Sequence, residues 1–317
     1  MKLKALYRTA VEAGRSADLR TAKQIDALLE SERERYKKLD AKGKGRFDKD
    51  RLWNPYSDSR LLFGAEDLEI KEMLWGIDVD PAEVLLADRL REKGRRIDAL
   101  MAHHPEGAAR PAFHEVMHLM ENLMQEFDVP INVAEDVLAP RIKEVQRAVH
   151  PVNFNRTVDA CRLLDVPFLC LHSPCDLLGQ KFVQKLMDKE RPEKVGDVIE
   201  SLMDLPEYDR AARYNSVPEI NVGDKNKKAG RVMIKFAGGT AGPKEMYESL
   251  SRAGVGTFVC MHLPENHLED AKKAHINVIV SGHVASDSLG VNLMADIMEG
   301  KGVKIAPFSG LLRVKRR

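Results

Sequence analysis

Short apolar runs alternate with amphipathic stretches over most of the chain. One clear unit runs from EIKEMLWGI through DPAEVLLADRLREKG to IDALMA. The two apolar runs are typical of buried strands. Asp80, Pro81 and Gly94 are residue types expected at the start and end of the helix between them. A strand, a helix and a strand in this order favour a parallel sheet.

The C-terminal third repeats this alternation and predicts a second α/β lobe. Its apolar runs are RVMIKFA, GTFVCM, INVIVS and VKIAPF, with helical segments between them. Between the lobes, residues 113–206 have mainly helical periodicity and one convincing strand, PFLCL. Residues 205–230 are rich in turn-forming residues and indicate a connector.

A charged, Ala-rich segment with helical spacing, from Leu3 to about Leu39, precedes these units. We therefore expect an α/β fold with two lobes of mainly parallel sheet, an N-terminal helical arm and a helical insertion. The expected boundaries are 1–60 for the arm, 61–205 for the first lobe with its insertion, and 206–317 for the second lobe.

Composition narrows the classes of partner. The 317 residues are 44% hydrophobic and carry a net charge of +1 from 50 basic and 49 acidic residues. Such a balance does not indicate a nucleic-acid or anionic-membrane partner, so small molecules and copies of the same chain are expected. No apolar run approaches the ~20 residues of a membrane span, and the N-terminus lacks a secretory pattern, which predicts a cytoplasmic protein. Its cysteines form no C-x-x-C pair and are expected to be reduced.

Histidines follow four of the predicted strands: IDALMA-HH, PFLCL-H, GTFVCM-H and INVIVSG-H. Because the carboxyl ends of parallel strands line the ligand crevice, these side chains can converge. Histidines that cap strand ends through backbone hydrogen bonds explain the same pattern. The pattern alone leaves both interpretations open.

Three segments carry the candidate metal chemistry. His103 and His104 precede Pro105, which keeps the chain extended and aims the two imidazoles apart, as a pair of ions ~3.5–4 Å apart requires. Asp176, in the turn HSPCD, is a carboxylate that could bridge two cations, or simply a turn or N-cap residue. His283 and Asp287, in GHVASD, can face one point at the start of a helix.

Together these segments resemble the NGG-one-interacting factor three (Nif-three-like) family, whose motifs are His-His-Pro, His-x-x-x-Asp and Gly-His-x-x-x-Glu. The resemblance covers IDALMAHHPEG, LCLHSPCDLLGQ and INVIVSGHVASDSLG. It implies two divalent metal ions, ring-shaped homohexamers and kinship with GTP cyclohydrolase I type 2 homologues. Imidazole and carboxylate ligands suit zinc, iron, manganese and nickel. The implied metal ligands are His103, His104, Asp176, His283 and Asp287.

This chain departs from the family pattern in two ways. Asp287 stands where the family usually has Glu, which shortens the reach of the carboxylate. The stretch between His104 and Asp176 is enlarged by extra helices.

Those extra helices contain a competing motif, His114-Glu115-Val-Met-His118, which matches the H-E-x-x-H pattern of zinc metalloproteases. A zincin needs a third ligand, for which Glu121 is too close and Glu135 only a vague candidate. A protease site, an accessory role for His114 and His118 at the dinuclear centre, and a solvated helix face remain alternatives.

Further residues are candidates for contact with substrate or for support of the metal ligands: His172, His262, Gly239 and Thr240. The last two lie in a Gly-rich turn whose backbone N–H groups could cradle phosphate. The favoured function is a metal-dependent hydrolase acting on a phosphoester or nucleotide. A non-catalytic metal-handling or regulatory assembly is the rival, so the sequence leaves open whether the protein is an enzyme.

Overall fold

The computed structural model describes residues 1–316, which form two sheets surrounded by helices. The strands in this part of the chain are β1 (Arg60–Phe63), β2 (Glu72–Gly76), β3 (Ala99–Ala102), β4 (Phe168–Cys170), β5 (Glu219–Val222), β6 (Arg231–Lys235), β7 (Val255–Cys260), β8 (Asn277–Val280) and β9 (Lys304–Pro307). The helices are α1 (Leu3–Ala17), α2 (Ala22–Lys38), α3 (Ala41–Arg46), α4 (Pro81–Glu92), α5 (His118–Glu126), α6 (Ile131–Val149), α7 (Arg156–Leu163), α8 (Ser173–Glu190), α9 (Val195–Met203), α10 (Pro206–Ala212), α11 (Met246–Arg252), α12 (Leu268–Lys273) and α13 (His283–Glu299). Short 3₁₀ helices span Lys49–Leu52, Gly107–Ala109, Phe113–Met117 and Glu265–His267.

The first sheet has the strand order β1-β4-β3-β2-β9, in which only β1 is antiparallel to its neighbour. Strands β3 and β4 are wholly buried, which agrees with their continuous apolar runs. At the other edge, β9 pairs with β2 through Met73 and Ile305. The expectation that VKIAPF belongs to the C-terminal lobe is therefore corrected, because the chain returns after α13 to complete the first sheet.

The second sheet has the order β5-β8-β7-β6, again with one antiparallel edge strand, β5. That strand lies inside residues 205–230, where the sequence predicted only a connector. Its residues are mostly accessible, so no apolar run marks it. The two sheets, each mainly parallel, confirm the predicted α/β fold class.

The N-terminal helix differs from the expected arm. In α1, Leu3, Leu6 and Val11 are fully buried in the core that also contains the first sheet. Helix α2, in contrast, buries only Ile25 and Leu29. Helix α1 is therefore part of the core, whereas α2 and α3 have the solvated character of an arm. The domain boundaries themselves stay a prediction.

Helices α8 and α13 pack closely near their N-terminal ends. A Cβ atom added to Gly290 of α13 would lie 2.4 Å from the backbone oxygen of Cys175 in α8. Only glycine allows this approach without a shift of backbone. Since Asp176 follows Cys175 and Asp287 lies one turn before Gly290, the close packing brings the two carboxylates together.

Two smaller expectations concern the thiols and the membrane. The cysteines, Cys161, Cys170, Cys175 and Cys260, are all buried and unpaired. Within residues 1–316, every helix is too short or too polar to cross a bilayer.

Candidate metal centre

The carboxyl ends of parallel strands from both sheets meet at one place. His103 and His104 directly follow β3, and His172 follows β4 after one residue. From the second sheet, His262 comes shortly after β7 and His283 shortly after β8. The ring centroids of His104 and His283 lie 5.4 Å apart, so the strand ends of the two sheets meet at these two residues. The histidine pattern of the sequence thus corresponds to a convergence in space.

The five residues expected to ligate metal lie together around Asp287. Its Oδ1 atom is 3.5 Å from Nε2 of His103. Its Oδ2 atom is 3.3 Å from Nε2 of His104 and 3.4 Å from Nε2 of His283. Asp176 completes the cluster, with Oδ1 3.2 Å from Nε2 of His103.

Four buried atoms of this cluster have no hydrogen-bond partner: Nε2 of His103, Oδ1 of Asp176 and both carboxylate oxygens of Asp287. These side chains are at most 3% exposed. Burying an ionised carboxylate without compensation costs several kcal/mol, so such atoms are normally paired or bound to a cation. Imidazole nitrogen and carboxylate oxygen are suitable ligands for divalent metals. The buried cluster can therefore bind a metal ion.

Asp287 is shared between two groups of possible ligands. The ligand atoms of His103, Asp176 and Asp287 lie within 4.8 Å of one another, and so do those of His104, His283 and Asp287. Asp176 is not a member of the second group. From its place in the sequence Asp176 is a candidate bridging carboxylate, whereas the geometry favours Asp287, whose two oxygens face different histidines.

Hydrogen bonds on the far side of the adjacent histidines fix their tautomers. Nδ1 of His103 donates to the backbone oxygen of Leu171 at 3.1 Å. Nδ1 of His104 donates to Oδ1 of Asp78 at 2.7 Å. In both rings Nε2 is then left to face the cluster, as is usual for histidines that ligate a metal. The backbone and Asp78 thereby orient both ligands.

Without a cation, protons on the imidazoles compensate the carboxylates. Burial would lower the pKa of His103, but Asp287 and Asp176 outweigh it and raise that pKa well above its ordinary value. Burial would also lower the pKa of His104, but Asp287 and Asp78 outweigh this effect and raise the pKa to about 9. Burial would raise the pKa of Asp287, yet its histidine neighbours, His103 foremost, hold the pKa below its usual range. The cluster therefore binds positive charge either as protons or as metal.

Sequence reasoning missed Asp58, which orients His172. Asp58 is fully buried, and its Oδ2 accepts hydrogen bonds from Nδ1 of His172 at 2.8 Å and from the hydroxyl of Ser173 at 2.6 Å. Burial would raise the pKa of Asp58, but the bonds from His172 and Ser173 hold it below its usual value. His172 stacks on His103 with centroids 4.8 Å apart. Asp58 lies in NPYSDS, where nothing distinguishes it from an ordinary turn residue.

An open cleft of about 780 Å³ lies over the cluster. Its walls include the cluster residues His104 and His283, together with His172 and the two arginines Arg110 and Arg156. Three more candidates from the sequence, Gly239, Thr240 and His262, also line it. A volume of this size is within the range of small-molecule sites. Solvent and a ligand can thus reach the histidines from one side.

The His114-Glu115-Val-Met-His118 segment does not form a metal site. It begins in a 3₁₀ helix and continues in α5, so the two histidines do not share one face of a single α-helix. Glu115 is paired with Arg51, and Nδ1 of His118 contacts Glu121 at 2.8 Å. Within residues 1–316, no group of three potential ligands includes His114 or His118. With 59% of its side chain exposed, His118 agrees with the solvated-face alternative.

A solved structure of a NIF3 superfamily protein from Sphaerobacter thermophilus decides the family. Its sequence is 32% identical, and the alignment covers 80% of this chain and 92% of that protein with a TM-score of 0.71. The chain belongs to the NIF3 superfamily. The resemblance inferred from the His-His-Pro, His-x-x-x-Asp and Gly-His motifs is therefore confirmed.

A more distant structure shares the NIF3 fold. Reduced HcgD from Methanocaldococcus jannaschii aligns over 78% of this chain and 87% of its own length, with 11% identity and a TM-score of 0.51. At this identity the likeness concerns the fold alone. No family model and no curated protein matches the sequence. Function must therefore be argued from the site itself.

Proposed function

We propose that this NIF3 superfamily protein holds two divalent metal ions and uses them to hydrolyse a phosphoester or nucleotide. One ion would be held by His103, Asp176 and Asp287, and the other by His104, His283 and Asp287. The observation that carries the proposal is the set of buried, unpartnered nitrogen and oxygen atoms beside His104 and His283, two histidines that line an open cleft. Imidazole and carboxylate ligands suit zinc, iron, manganese and nickel, so the ligands do not select one of them.

When bound, a pair of divalent ions supplies Lewis acidity: it makes water a better nucleophile at neutral pH and offsets charge on a phosphoryl group. Among the protein's own groups, Asp287 sets the spacing of the two sites, because its oxygens face separate histidines. His104 is held in place by Asp78, and His103 by the backbone of Leu171. These residues pre-organise the site before substrate binds.

We infer that His172 moves a proton in this reaction. It lines the cleft, and its Nδ1 is committed to the buried carboxylate of Asp58. A histidine oriented in this way can accept a proton from water or return one to a leaving group through Nε2. We assign His172 this role and Asp58 the role of positioning it.

The walls of the cleft support an anionic substrate of small-molecule size. Arg110 and Arg156 both line it, and each has only a partly exposed acidic partner, Glu106 at 3.0 Å and Asp80 at 3.4 Å. Such surface ion pairs are weak, so the guanidinium groups can turn to a phosphate. The two arginines in the walls of the cleft therefore favour a phosphorylated ligand. Asp78, Asp80 and Glu106, which also line the cleft, limit the negative charge that such a ligand can carry.

A homohexamer remains part of the proposal. Leu85 and Leu86 of α4 and Leu163 of α7 are 58%, 49% and 86% exposed, and the two helices pack against each other. Exposed leucines on neighbouring helices are typical of an interaction surface. Light scattering of the purified protein tests the assembly.

Turnover by metal-loaded protein is the test of the proposed function. The protein, stripped and reloaded with each of the four metals, is assayed against phosphomonoesters, phosphodiesters and nucleotides including GTP. We expect hydrolysis that requires metal and is lost in Asp287→Asn and retained in Glu115→Gln. Two tightly bound ions without turnover of any of these substrates would contradict the hydrolase and favour the metal-handling assembly.

A further inference from the structure

Lys235 is a buried lysine without an acidic partner. It ends β6 and is 6% exposed. Within residues 1–316 it forms no ion pair; the charge of Asp176, which lines the same cavity, acts on it from a greater distance. Nζ donates one hydrogen bond, to the backbone oxygen of Thr240 at 2.6 Å. An ammonium group has three N–H donors, so this bond leaves two for other partners.

An unpaired cation at this depth is costly to the folded protein. Burial lowers the pKa of Lys235 to about 8. Replacing a buried charge by an apolar side chain is often neutral or stabilising, so packing alone is a weak reason for a lysine here. A ligand that supplies negative charge would remove the cost.

His262, which follows the adjacent strand β7, is a second polar side chain with an unpartnered atom. Lys235 is paired with Cys260 across the β6–β7 ladder, and His262 follows two residues later. Nδ1 of His262 is buried without a hydrogen-bond partner. Its ring stacks on His283, with centroids 5.5 Å apart, and so touches the candidate metal ligands.

Both groups line one small cavity beside the metal centre. The cavity has a volume of about 20 Å³, room for roughly one water-sized atom. Asp176 and His283 also line it. The cavity shares Gly239 and His262 with the open cleft, so an atom placed in it can belong to a larger molecule in that cleft.

We propose that Lys235 and His262 form an oxyanion pocket that receives one oxygen of a phosphate group whose remaining atoms lie in the cleft. This inference rests on the proposed function for its substrate class and adds a specificity-determining site that the metal ligands do not provide. The size of the cavity admits a single oxygen, and its donors match an anionic one. Donors already in place need no reorganisation when charge develops on that oxygen.

A purely structural role is the competing account of Lys235. In that account its bond to Thr240 only fastens the turn in which Gly238 and Gly239 have positive φ angles of 97° and 78°. Lys235→Gln separates the two accounts, because its amide still offers a donor to Thr240 but carries no charge.

Binding of inorganic phosphate to the metal-loaded protein, measured by titration calorimetry, is the test. We expect Lys235→Gln and Lys235→Met to weaken phosphate binding by about tenfold or more, since a charge-assisted hydrogen bond is lost. Lys244→Met, which removes a 44% exposed lysine nearby in sequence, should stay within about twofold of wild type. Bound metal and the thermal midpoint are measured on the same preparations.

Either of two results would overturn the pocket. One is wild-type protein that binds no phosphate at millimolar concentration, and the other is Lys235→Gln that folds and binds phosphate as wild type does. Should Lys235→Met fail to fold, Lys235→Gln carries the comparison. Phosphate binding is measured without turnover, so the test of the pocket holds even if the protein does not hydrolyse any of the substrates. If the protein hydrolyses its substrate but phosphate binding does not change when Lys235 is replaced, the pocket is refuted and the hydrolase proposal stands.

Discussion

Two regions of the molecule combine histidine with acidic residues, and they differ in whether atoms without a hydrogen-bond partner lie together. In the segment from His114 to His118, Glu115 is bound by Arg51 and His118 by Glu121, and the one buried atom without a partner is Nδ1 of His114. At the strand ends, His103, Asp176 and Asp287 are buried and retain atoms with no hydrogen-bond partner. The first region has a compact motif in the sequence, whereas the second is assembled from three segments, with 73 positions between His103 and Asp176 and 111 between Asp176 and Asp287.

A candidate metal site therefore differs from a surface segment in the convergence of several unpartnered ligand atoms at one point, and motif spacing alone does not reveal it. A metalloprotease motif requires its histidines on one helical face and a third ligand beyond them. The chain breaks that face between a 3₁₀ helix and α5 and uses Glu115 in an ion pair. In the strand-end cluster, hydrogen bonds to the backbone oxygen of Leu171 and to Asp78 hold Nδ1 of His103 and of His104. Nε2 of each ring is therefore free to bind a metal.

The largest effect is expected from Asp287→Asn, which removes the carboxylate common to both ligand groups. Both ions should bind about 100-fold more weakly or worse, as each loses an anionic ligand. Asp176→Asn is the matched variant and should weaken one ion selectively. Elemental analysis and metal titration of both variants provide the measurement. Selective loss of one ion in Asp287→Asn would refute its bridging position.

A strong pH dependence of metal binding is expected next. The pKa of His104 is raised to about 9 and that of His103 lies well above its ordinary value, so both rings are protonated at pH 7 in the metal-free protein. Protons must leave before metal binds; affinity therefore rises from pH 6 to pH 8, and about two protons are released at pH 7. Calorimetry in buffers of different ionisation enthalpy counts them. Metal binding at pH 7 without proton release would contradict this electrostatic account.

Asp58→Asn should lower stability and disturb His172 without removing a ligand. The substitution replaces a buried, charged acceptor of three side-chain hydrogen bonds, from His172, Ser173 and Ser59, at an expected cost of about 2–3 kcal/mol. Denaturant unfolding of metal-free protein measures the loss. Metal content should remain at two ions, with turnover reduced. An unchanged unfolding free energy would show that the Asp58 contacts do not stabilise the fold.

The smallest effect is expected from Glu115→Gln. Its pair with Arg51 is partly exposed, with 21% and 34% of the two side chains accessible. Such pairs contribute about 0–1 kcal/mol, so unfolding should change little and metal content not at all. Loss of metal, or metal-dependent peptide cleavage that disappears in Glu115→Gln, would restore the protease alternative.

Sequence patterns sufficed for the elements whose burial is uniform. Strands β3 and β4 are wholly buried and were predicted from continuous apolar runs, and the histidines beyond them follow from strand direction. The motifs led to the family that the 32% identical structure confirms. The positions of His103, His104, Asp176, His283 and Asp287 in one cluster were likewise expected.

Other features depend on contacts that one sequence does not encode locally. The return of β9 to the first sheet and the burial of α1 result from long-range packing, and an accessible edge strand such as β5 has no apolar signal. Asp58 and Lys235 look like ordinary polar residues until their buried surroundings are known.

The most direct test of the central claim is to count and locate the metal ions. Crystals of metal-loaded wild-type protein, measured at the absorption edge of the metal, give anomalous difference peaks at its positions. The account predicts two peaks ~3.5–4 Å apart with the carboxylate of Asp287 between them, one beside His103 and one beside His104. A single peak, or a peak at His114 and His118, would contradict it.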